Sequence, residues 1–132
     1  MHAEQDEILE WLRTQHATEQ GLIYHSLTRP DFSEEIAIYE AVVLARETGC
    51  PLYIVHLSTA KGLNVIRRAK ADGIPIITET CPHYLAFDHN VYRRPDGVLF
   101  TMTPPLRPPG NSEALWAGLA DGSLSVVSSD HN

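Results

Sequence analysis

Apolar positions along this chain alternate between helical spacing and short unbroken runs. Helical spacing predicts helices over residues 5–15, 31–48, 60–71 and 111–120. Unbroken apolar runs at 52–55, 74–78 and 124–127 are typical of strands that are buried on both faces of a sheet. Because strands and helices follow one another in turn, the pattern predicts parallel βαβ units and an α/β fold.

Turn and capping residues indicate where these helices begin and end. Glu34 follows Asp31 at the spacing of a capping box, which predicts that the second helix starts at Asp31. Gly49 is predicted to end that helix, because a glycine takes up the left-handed conformation found after many helices. Asn111 or Ser112 is predicted to cap the last helix.

The predicted strands amount to half of a (β/α)8 barrel. A further strand is expected to end at Met1 and His2, ahead of the strands that the apolar runs predict. A complete barrel takes about 250 residues, whereas this chain has 132. We therefore predict one domain, residues 1–132, that forms a partial TIM barrel. Trp11 and Trp116 lie on helical faces and are expected to pack in the core or between helices.

Charge and composition narrow the classes of partner. The formal net charge is −7 and the chain has no strong basic cluster, which argues against binding to nucleic acid or to an anionic membrane. No apolar stretch approaches the roughly 20 residues that span a membrane. Two cysteines do not make a disulfide framework, and the chain shows no signal sequence, so we expect a cytoplasmic protein.

Polar residues that can bind metal follow the carboxyl ends of the predicted strands. His2, His56 and Asp130 should converge on one crevice, since the ends of parallel strands meet at one edge of a sheet. Two imidazoles and a carboxylate suit zinc or a similar first-row metal. Such a metal lowers the pKa of a bound water to about 7, and Asp130 could shuttle the released proton. The residues alone leave an alternative open, because a histidine at a strand end is often structural.

Five short motifs occur in order along the chain: residues 2–6 (HAEQD), 52–58 (LYIVHLS), 79–85 (ETCPHYL), 103–107 (TPPLR) and 129–131 (SDH). In this order they resemble the cyclic amidohydrolases, the family of dihydropyrimidinase (D-hydantoinase), allantoinase and dihydroorotase. The resemblance extends along the whole chain. It covers only the C-terminal half of the catalytic barrel of such an enzyme, roughly strands five to eight with their helices.

The resemblance implies a TIM-barrel hydrolase with two divalent metals, most commonly zinc, bridged by a carboxylated lysine and a hydroxide. His2 at the end of strand five and His56 at the end of strand six resemble the ligands of one metal. Asp130 at the end of strand eight resembles the ligand of the other metal and the catalytic base. Thr103 matches the position, usually serine, whose backbone contacts the cyclic imide.

Other parts of the family's site have no counterpart in this sequence, namely the His-x-His pair of strand one and the lysine of strand four. The resemblance therefore implies that the chain works with the missing half of the barrel, or as a homo-oligomer. The substrate it implies is a small cyclic amide, either a dihydropyrimidine or a hydantoin. Allantoin and dihydroorotate are alternatives, because the sequence Cys-Pro-His-Tyr is more usual in the enzymes that act on them.

A second hypothesis belongs to another class of protein. The chain would be a non-catalytic half-barrel, either a gene fragment or a module that binds one metal or assembles with a partner. Half a barrel leaves two sheet edges unpaired, and unpaired edges favour pairing with another chain.

Overall fold

The structure is a computed structural model that describes residues 1–18 and 20–131. Helices and strands alternate in most of the chain, as the apolar pattern predicts. Their bounds are α1 Asp6–Gln15, α2 Ile23–Leu27, α3 Asp31–Thr48, β1 Leu52–Ile54, α4 Ala60–Ala71, β2 Ile76–Thr80, α5 Pro82–Ala86, α6 Asn111–Asp121 and β3 Val126–Val127. Short 3₁₀ segments, His89–Arg93 and Gly97–Phe100, connect α5 to the loop before α6.

Within the described residues, the strands form one parallel sheet in the order β1–β2–β3. Leu52 pairs with Ile76 across β1 and β2, and Thr80 pairs with Val127 across β2 and β3. Each strand is followed or preceded by a helix, so the sheet is built from βα units. The α/β prediction is confirmed, and the small parallel sheet is consistent with part of a barrel.

The start of the chain continues the sheet beyond β1. The Met1 amino group donates a hydrogen bond to the Tyr53 carbonyl, and the Val55 N–H donates to the Met1 carbonyl at 3.4 Å. These two bonds have the pattern of parallel pairing around Ile54. Met1 and His2 are not part of a regular strand. The hydrogen bonds nevertheless place them where the sequence predicts a strand to end.

The core lies between the sheet and the helices α3, α4 and α6. Its fully buried aliphatic side chains are Ile38, Ile54, Leu57, Leu63, Ile66, Leu106 and Leu115. Two helical glycines let these elements approach closely. A Cβ atom at Gly62 would lie 2.8 Å from Ile38 Cδ1, and one at Gly118 would lie 2.8 Å from Leu63 Cδ2. The absence of a side chain at these positions therefore sets the spacing of α4 against α3 and α6.

One face of the sheet is more open than the sequence predicts. Tyr53 and Ile77 are ladder partners that share a face, and they are 40% and 49% exposed. On the other face, Ile54 and Ile76 are buried under the helices. The expectation that the strands are buried on both faces is wrong for this chain, because the helices of the described residues pack on one side.

Local capping patterns also differ from the prediction. Pro30 precedes α3, and Asp31 lies inside its first turn, where it forms an ion pair with Lys61 at 3.1 Å. Glu34 points into the interior instead of back to the helix start. No capping box forms, because the carboxylates of Asp31 and Glu34 both interact with residues outside α3.

Predictions for the last helix and for the tryptophans also need correction. Gly110 precedes α6, and Asn111 uses its side chain to accept from the Ala60 N–H at 2.8 Å. Asn111 therefore joins the loop before α6 to the start of α4, and does not cap α6. Trp11 and Trp116 are 58% and 56% exposed, so neither is a core residue, but Trp116 does join two helices, since its Nε1 donates to the Leu85 carbonyl of α5 at 3.1 Å. No helix in the described part of the chain is long and apolar enough to cross a membrane.

Candidate functional site

His2 and His56 meet at the carboxyl end of the sheet. His2 Nδ1 lies 3.0 Å from His56 Nε2, and the two rings are arranged edge to face with centroids 4.8 Å apart. Parallel pairing of Met1 with β1 brings them together, because it places the residues after Met1 beside those after Ile54. The structure therefore places two imidazole nitrogens side by side where the sequence predicts a metal site.

Two residues near strand ends adopt a backbone conformation that is unusual for residues other than glycine. His56 has a φ of +39° and Asp130 has a φ of +49°, both in the left-handed region. This region costs an ordinary residue roughly 1–2 kcal/mol. Such strain is found most often at functional sites, where surrounding contacts hold it in place. Its presence at two of the predicted site residues supports a functional role for this end of the sheet.

Burial keeps His56 in its neutral form. The imidazole is buried, which lowers its pKa, and the neighbouring His2 lowers it further. The charges of Asp130 and Glu4 act in the opposite direction but do not reverse the shift. A neutral imidazole is the form that binds a metal ion. His56 is therefore suited to act as a ligand at neutral pH.

Asp130 lies on the β3 side of the same edge. Its side chain is exposed, and its charge acts on His56, Cys81 and His83. The Cys81 thiol has its pKa raised to about 12, first by burial and then by Asp130 and Glu79. Cys81 is thus a protonated thiol of the core at neutral pH. Asp130 is close enough for its charge to act on His56, but among the described residues it forms no hydrogen bond or ion pair with either histidine.

Across residues 1–18 and 20–131, no three His, Cys, Asp or Glu side chains converge closely enough to hold a metal ion. Imidazole nitrogens are common zinc ligands, so the histidine pair matches two of the roughly three or four protein ligands that a zinc site takes. The chain therefore brings together His2 and His56 of the predicted ligand set and holds Asp130 apart from them.

Thr103 begins the loop that leads to α6. Its side chain is exposed, whereas Pro104, Leu106 and Arg107 behind it are buried. Tyr84 Oη donates to the Pro104 carbonyl at 2.7 Å, so the loop is anchored immediately after Thr103. This arrangement fixes the backbone at Thr103 and leaves it accessible at the surface.

Behind His2 lies a buried carboxylate. The Glu4 side chain is only 1% exposed, and its Oε2 lies 3.1 Å from His2 Nε2. The same oxygen accepts from Arg29 Nη1, and Oε1 faces Arg107 Nη2 at 3.7 Å. Burial alone would raise the Glu4 pKa, but His2, Arg107 and Arg29 together outweigh it and hold the pKa below its ordinary value. Glu4 is therefore an ionised carboxylate between two guanidinium groups.

Arg107 connects this carboxylate to the segment that follows His56. Its side chain is 3% exposed, and Nε donates to Ser58 Oγ at 2.8 Å. Nη1 donates to the Arg29 carbonyl. A single guanidinium therefore contacts residues that come two positions after each of the two histidines.

A second buried carboxylate lies on the far side of Ser58. Glu34 Oε1 accepts from the Ser58 N–H at 3.0 Å and from the Ser58 hydroxyl at 2.9 Å, and Oε2 accepts from Thr59. Burial raises the Glu34 pKa in spite of the opposing effects of Arg107, Thr59 and Ser58. We call Glu4, Arg29, Glu34, Ser58 and Arg107 the buried polar network.

No functional role is predicted for this network from the sequence, although the sequence contains a pattern that indicates it. His2-x-Glu4 and His56-x-Ser58 place a polar residue at the same offset after each candidate ligand. Arg29 and Arg107 follow in the same chain, each next to a proline. Local sequence cannot show that these residues meet, because they come from separate segments.

No protein-family model matches the sequence. Curated relatives include the D-phenylhydantoinase of Escherichia coli, which is 45% identical over 109 residues that make up 82% of this chain and 24% of the relative. The chain thus spans about a quarter of the length of the curated relatives that it matches.

Solved structures agree with the sequence comparison. Dihydropyrimidinase from Brevibacillus agri matches with a TM-score of 0.94 and 37% identity, over 98% of this chain and 29% of that one. D-Hydantoinase from Bacillus sp. AR9 matches with a TM-score of 0.94 and 39% identity, over 98% of this chain and 29% of that one. The fold of this chain is therefore that of a part of these enzymes.

Proposed function

We propose that this chain, which belongs to the D-hydantoinase and dihydropyrimidinase family of amidohydrolases, forms part of the active site of a cyclic amide hydrolase. The reaction is the opening of a dihydropyrimidine or hydantoin ring at a C–N bond. The observation that carries this proposal is the 3.0 Å approach of His2 Nδ1 to His56 Nε2 at the carboxyl end of the sheet. In proteins built from βα units, ligands and substrates bind at that end.

His2 and His56 would hold one divalent metal ion, for which we propose zinc. Asp130 would bind the second ion of a binuclear centre, together with ligands that this chain does not supply. When bound, such ions acidify a coordinated water to a pKa of about 7 and so provide a nucleophile at neutral pH. The neutral state of His56 favours this role, because a protonated imidazole has no lone pair for a metal.

Asp130 would receive the proton of the attacking water and pass it to the ring nitrogen as the C–N bond breaks. The Asp130 carboxylate is exposed at the open edge of the sheet, where a substrate can reach it, and its strained backbone holds it there. Both features favour this role. Thr103 would contact the cyclic imide through its backbone. The anchoring of Pro104 by Tyr84 suits this function, because a fixed backbone group positions a ring without a large entropic cost.

We further propose that the activity belongs to a longer parent protein in which this chain supplies strands five to eight of a TIM barrel. The open face carrying Tyr53 and Ile77 favours this, since these side chains would fill the interior of a closed barrel. The missing strands would come from the parent chain, and a homo-oligomer is the alternative source. The free thiols of Cys50 and Cys81 favour a reducing, cytoplasmic location.

The proposed function is tested by transplanting the chain into a complete relative. The matching segment of E. coli D-phenylhydantoinase is replaced by this chain, and ring opening of hydantoin and dihydrouracil is measured. We expect turnover that depends on added zinc. Changing Asp130→Asn should lower kcat by about 10²–10⁴, the usual contribution of a general acid or base.

Asp121→Asn is the matched control, since Asp121 is an exposed carboxylate that pairs with Arg67 near the end of α6. It should leave kcat unchanged within about twofold, because surface substitutions have small effects. A folded chimaera that binds zinc and opens neither ring would contradict the proposed function. So would an Asp130→Asn chimaera with undiminished turnover.

A second candidate function is a non-catalytic module that binds one metal or assembles with a partner. The observation that favours it is the pairing of His2 with His56 beside an open sheet face in this chain alone. Zinc titration of the isolated chain separates the two proposals. One bound zinc and an inactive chimaera support the module, whereas an active chimaera supports the hydrolase.

A further inference from the structure

The contact between Glu4 and His2 determines which nitrogen of His2 carries the proton. Glu4 Oε2 lies 3.1 Å from His2 Nε2, within hydrogen-bond distance. A carboxylate held between Arg29 and Arg107 has no proton to donate. The hydrogen must therefore come from His2 Nε2, since two acceptors facing each other would repel.

The opposite nitrogen of His2 is then left with a lone pair. In a neutral imidazole only one nitrogen is protonated, so protonation of Nε2 leaves Nδ1 free. Nδ1 is the atom that faces His56 Nε2 at 3.0 Å, on the side where the two rings converge. The contact with Glu4 thus directs the free electron pair of His2 toward His56.

Glu4 is itself held by a hydrogen bond on one oxygen, while its other oxygen faces a guanidinium group without a hydrogen bond. Arg29 contacts Oε2, and Arg107 faces Oε1 from 3.7 Å. Because the Glu4 side chain is 1% exposed, water does not compete for these oxygens. The rotation of the His2 ring is therefore fixed by a group that cannot easily move.

We propose that Glu4 is a positioning residue for His2, accepting the Nε2 proton so that Nδ1 is the nitrogen that binds the metal. This inference rests on the metal-binding role given to His2 in the proposed function. Carboxylates that accept the second N–H of a ligating histidine fix its tautomer and raise its basicity. Their loss typically lowers metal affinity about 10–100-fold.

The test uses the 132-residue chain, labelled with ¹⁵N and free of metal, at a pH well above the ordinary histidine pKa of about 6.5. Long-range ¹H–¹⁵N spectra report which imidazole nitrogen carries the proton. We expect the Nε2–H tautomer at His2 in the wild-type chain. In Glu4→Gln, a side-chain amide can donate to Nε2, so the Nδ1–H tautomer should increase and zinc affinity should fall about 10–100-fold.

Glu34→Gln is the matched control. Glu34 is also a buried carboxylate that Arg107 influences, but its contacts are with Ser58 and Thr59. This variant should lose stability while keeping the His2 tautomer of the wild type. A general loss of folding would change both variants alike, so the contrast isolates the effect on His2.

The wild-type spectrum decides the inference even if Glu4→Gln does not fold. A Nδ1–H tautomer at His2 overturns it, and so does unchanged zinc affinity in a folded Glu4→Gln chain. A wild-type chain that has the Nε2–H tautomer but binds no zinc contradicts the metal role in the proposed function. The two failures are therefore distinguishable, because the tautomer is measured without metal.

Discussion

The two sides of the sheet edge differ in how their polar side chains are held. On the β1 side, His2 and His56 lie in front of the buried polar network, in which charged groups contact one another away from water. On the β3 side, Asp130 is exposed and follows a strand of only two residues. The histidine pair is thus positioned by tertiary contacts within this chain. The position of Asp130 depends mainly on its local backbone.

This difference has an energetic consequence. Removing one partner of a buried ion pair costs about 3–5 kcal/mol, because the remaining charge is left without compensation. An exposed pair contributes about 0–1 kcal/mol, since water and salt screen the charges. Substitutions in the buried polar network should therefore affect stability far more than chemically similar substitutions elsewhere.

The largest effect is expected for Arg107→Met. Methionine retains the apolar volume of the side chain but leaves Glu4 without one of its two guanidinium partners. We expect the free energy of unfolding to fall by about 3–5 kcal/mol. Urea unfolding of the 132-residue chain, followed by circular dichroism, measures the change.

Arg94→Met is the control for this change. Arg94 pairs with Asp96 at 2.7 Å, but both side chains are about half exposed, at 51% and 43%. It should lose less than about 1 kcal/mol. Equal losses in the two variants would contradict the comparison between the buried polar network and the surface.

The sequence predicts the fold where local patterns decide it. Helix α3 begins and ends where Asp31 and Gly49 indicate, and helical spacing locates α4 within residues 60–71. The prediction of a capping box is wrong because Glu34 instead accepts hydrogen bonds from Ser58 and Thr59, which are distant in the sequence. A local motif cannot show which tertiary contacts compete with it.

The same limit applies to the candidate site. The meeting of His2 with His56 is predicted from parallel strand order, because the carboxyl ends of such strands share one edge. The role of Glu4 is missed, since it depends on Arg29 and Arg107 approaching from separate segments. The open sheet face is missed as well, because an apolar run does not reveal whether both of its faces are covered.

A smaller effect is expected for Ser58→Ala. The Ser58 hydroxyl accepts from Arg107 Nε and donates to Glu34, so its loss leaves two buried charged groups with one partner fewer. We expect a loss of about 1–3 kcal/mol, the cost of leaving buried polar groups unsatisfied. Urea unfolding near neutral pH measures it.

Ser125→Ala is the matched control on the β3 side. Its hydroxyl accepts from Lys70 Nζ at 3.3 Å, and the side chain is exposed. The change should alter the free energy of unfolding by less than about 0.5 kcal/mol. A Ser125→Ala variant as unstable as Ser58→Ala would mean that the two sides of the sheet edge are equally well supported.

The smallest effect is expected at Asp121, an exposed carboxylate at the end of α6. The neighbouring Ser123 side chain, the Ser123 backbone N–H that donates to Asp121 Oδ1 at 2.8 Å, and Arg67 together lower the Asp121 pKa from 3.8 to about 2. Because the pKa is lower in the folded chain, the contribution of Asp121 to stability is fully present above the unfolded value of 3.8. It is lost as the pH falls toward about 2.

Asp121→Asn measures this contribution. The difference in urea midpoint between wild type and variant should be small at neutral pH and should shrink further as the pH falls through the window between 3.8 and about 2. The carboxyl ¹³C shift of Asp121 in the folded chain should titrate with a midpoint at about 2. A difference that grows on acidification would contradict the sign of the pKa shift. It would also mean that another charged group on the β3 side titrates together with Asp121.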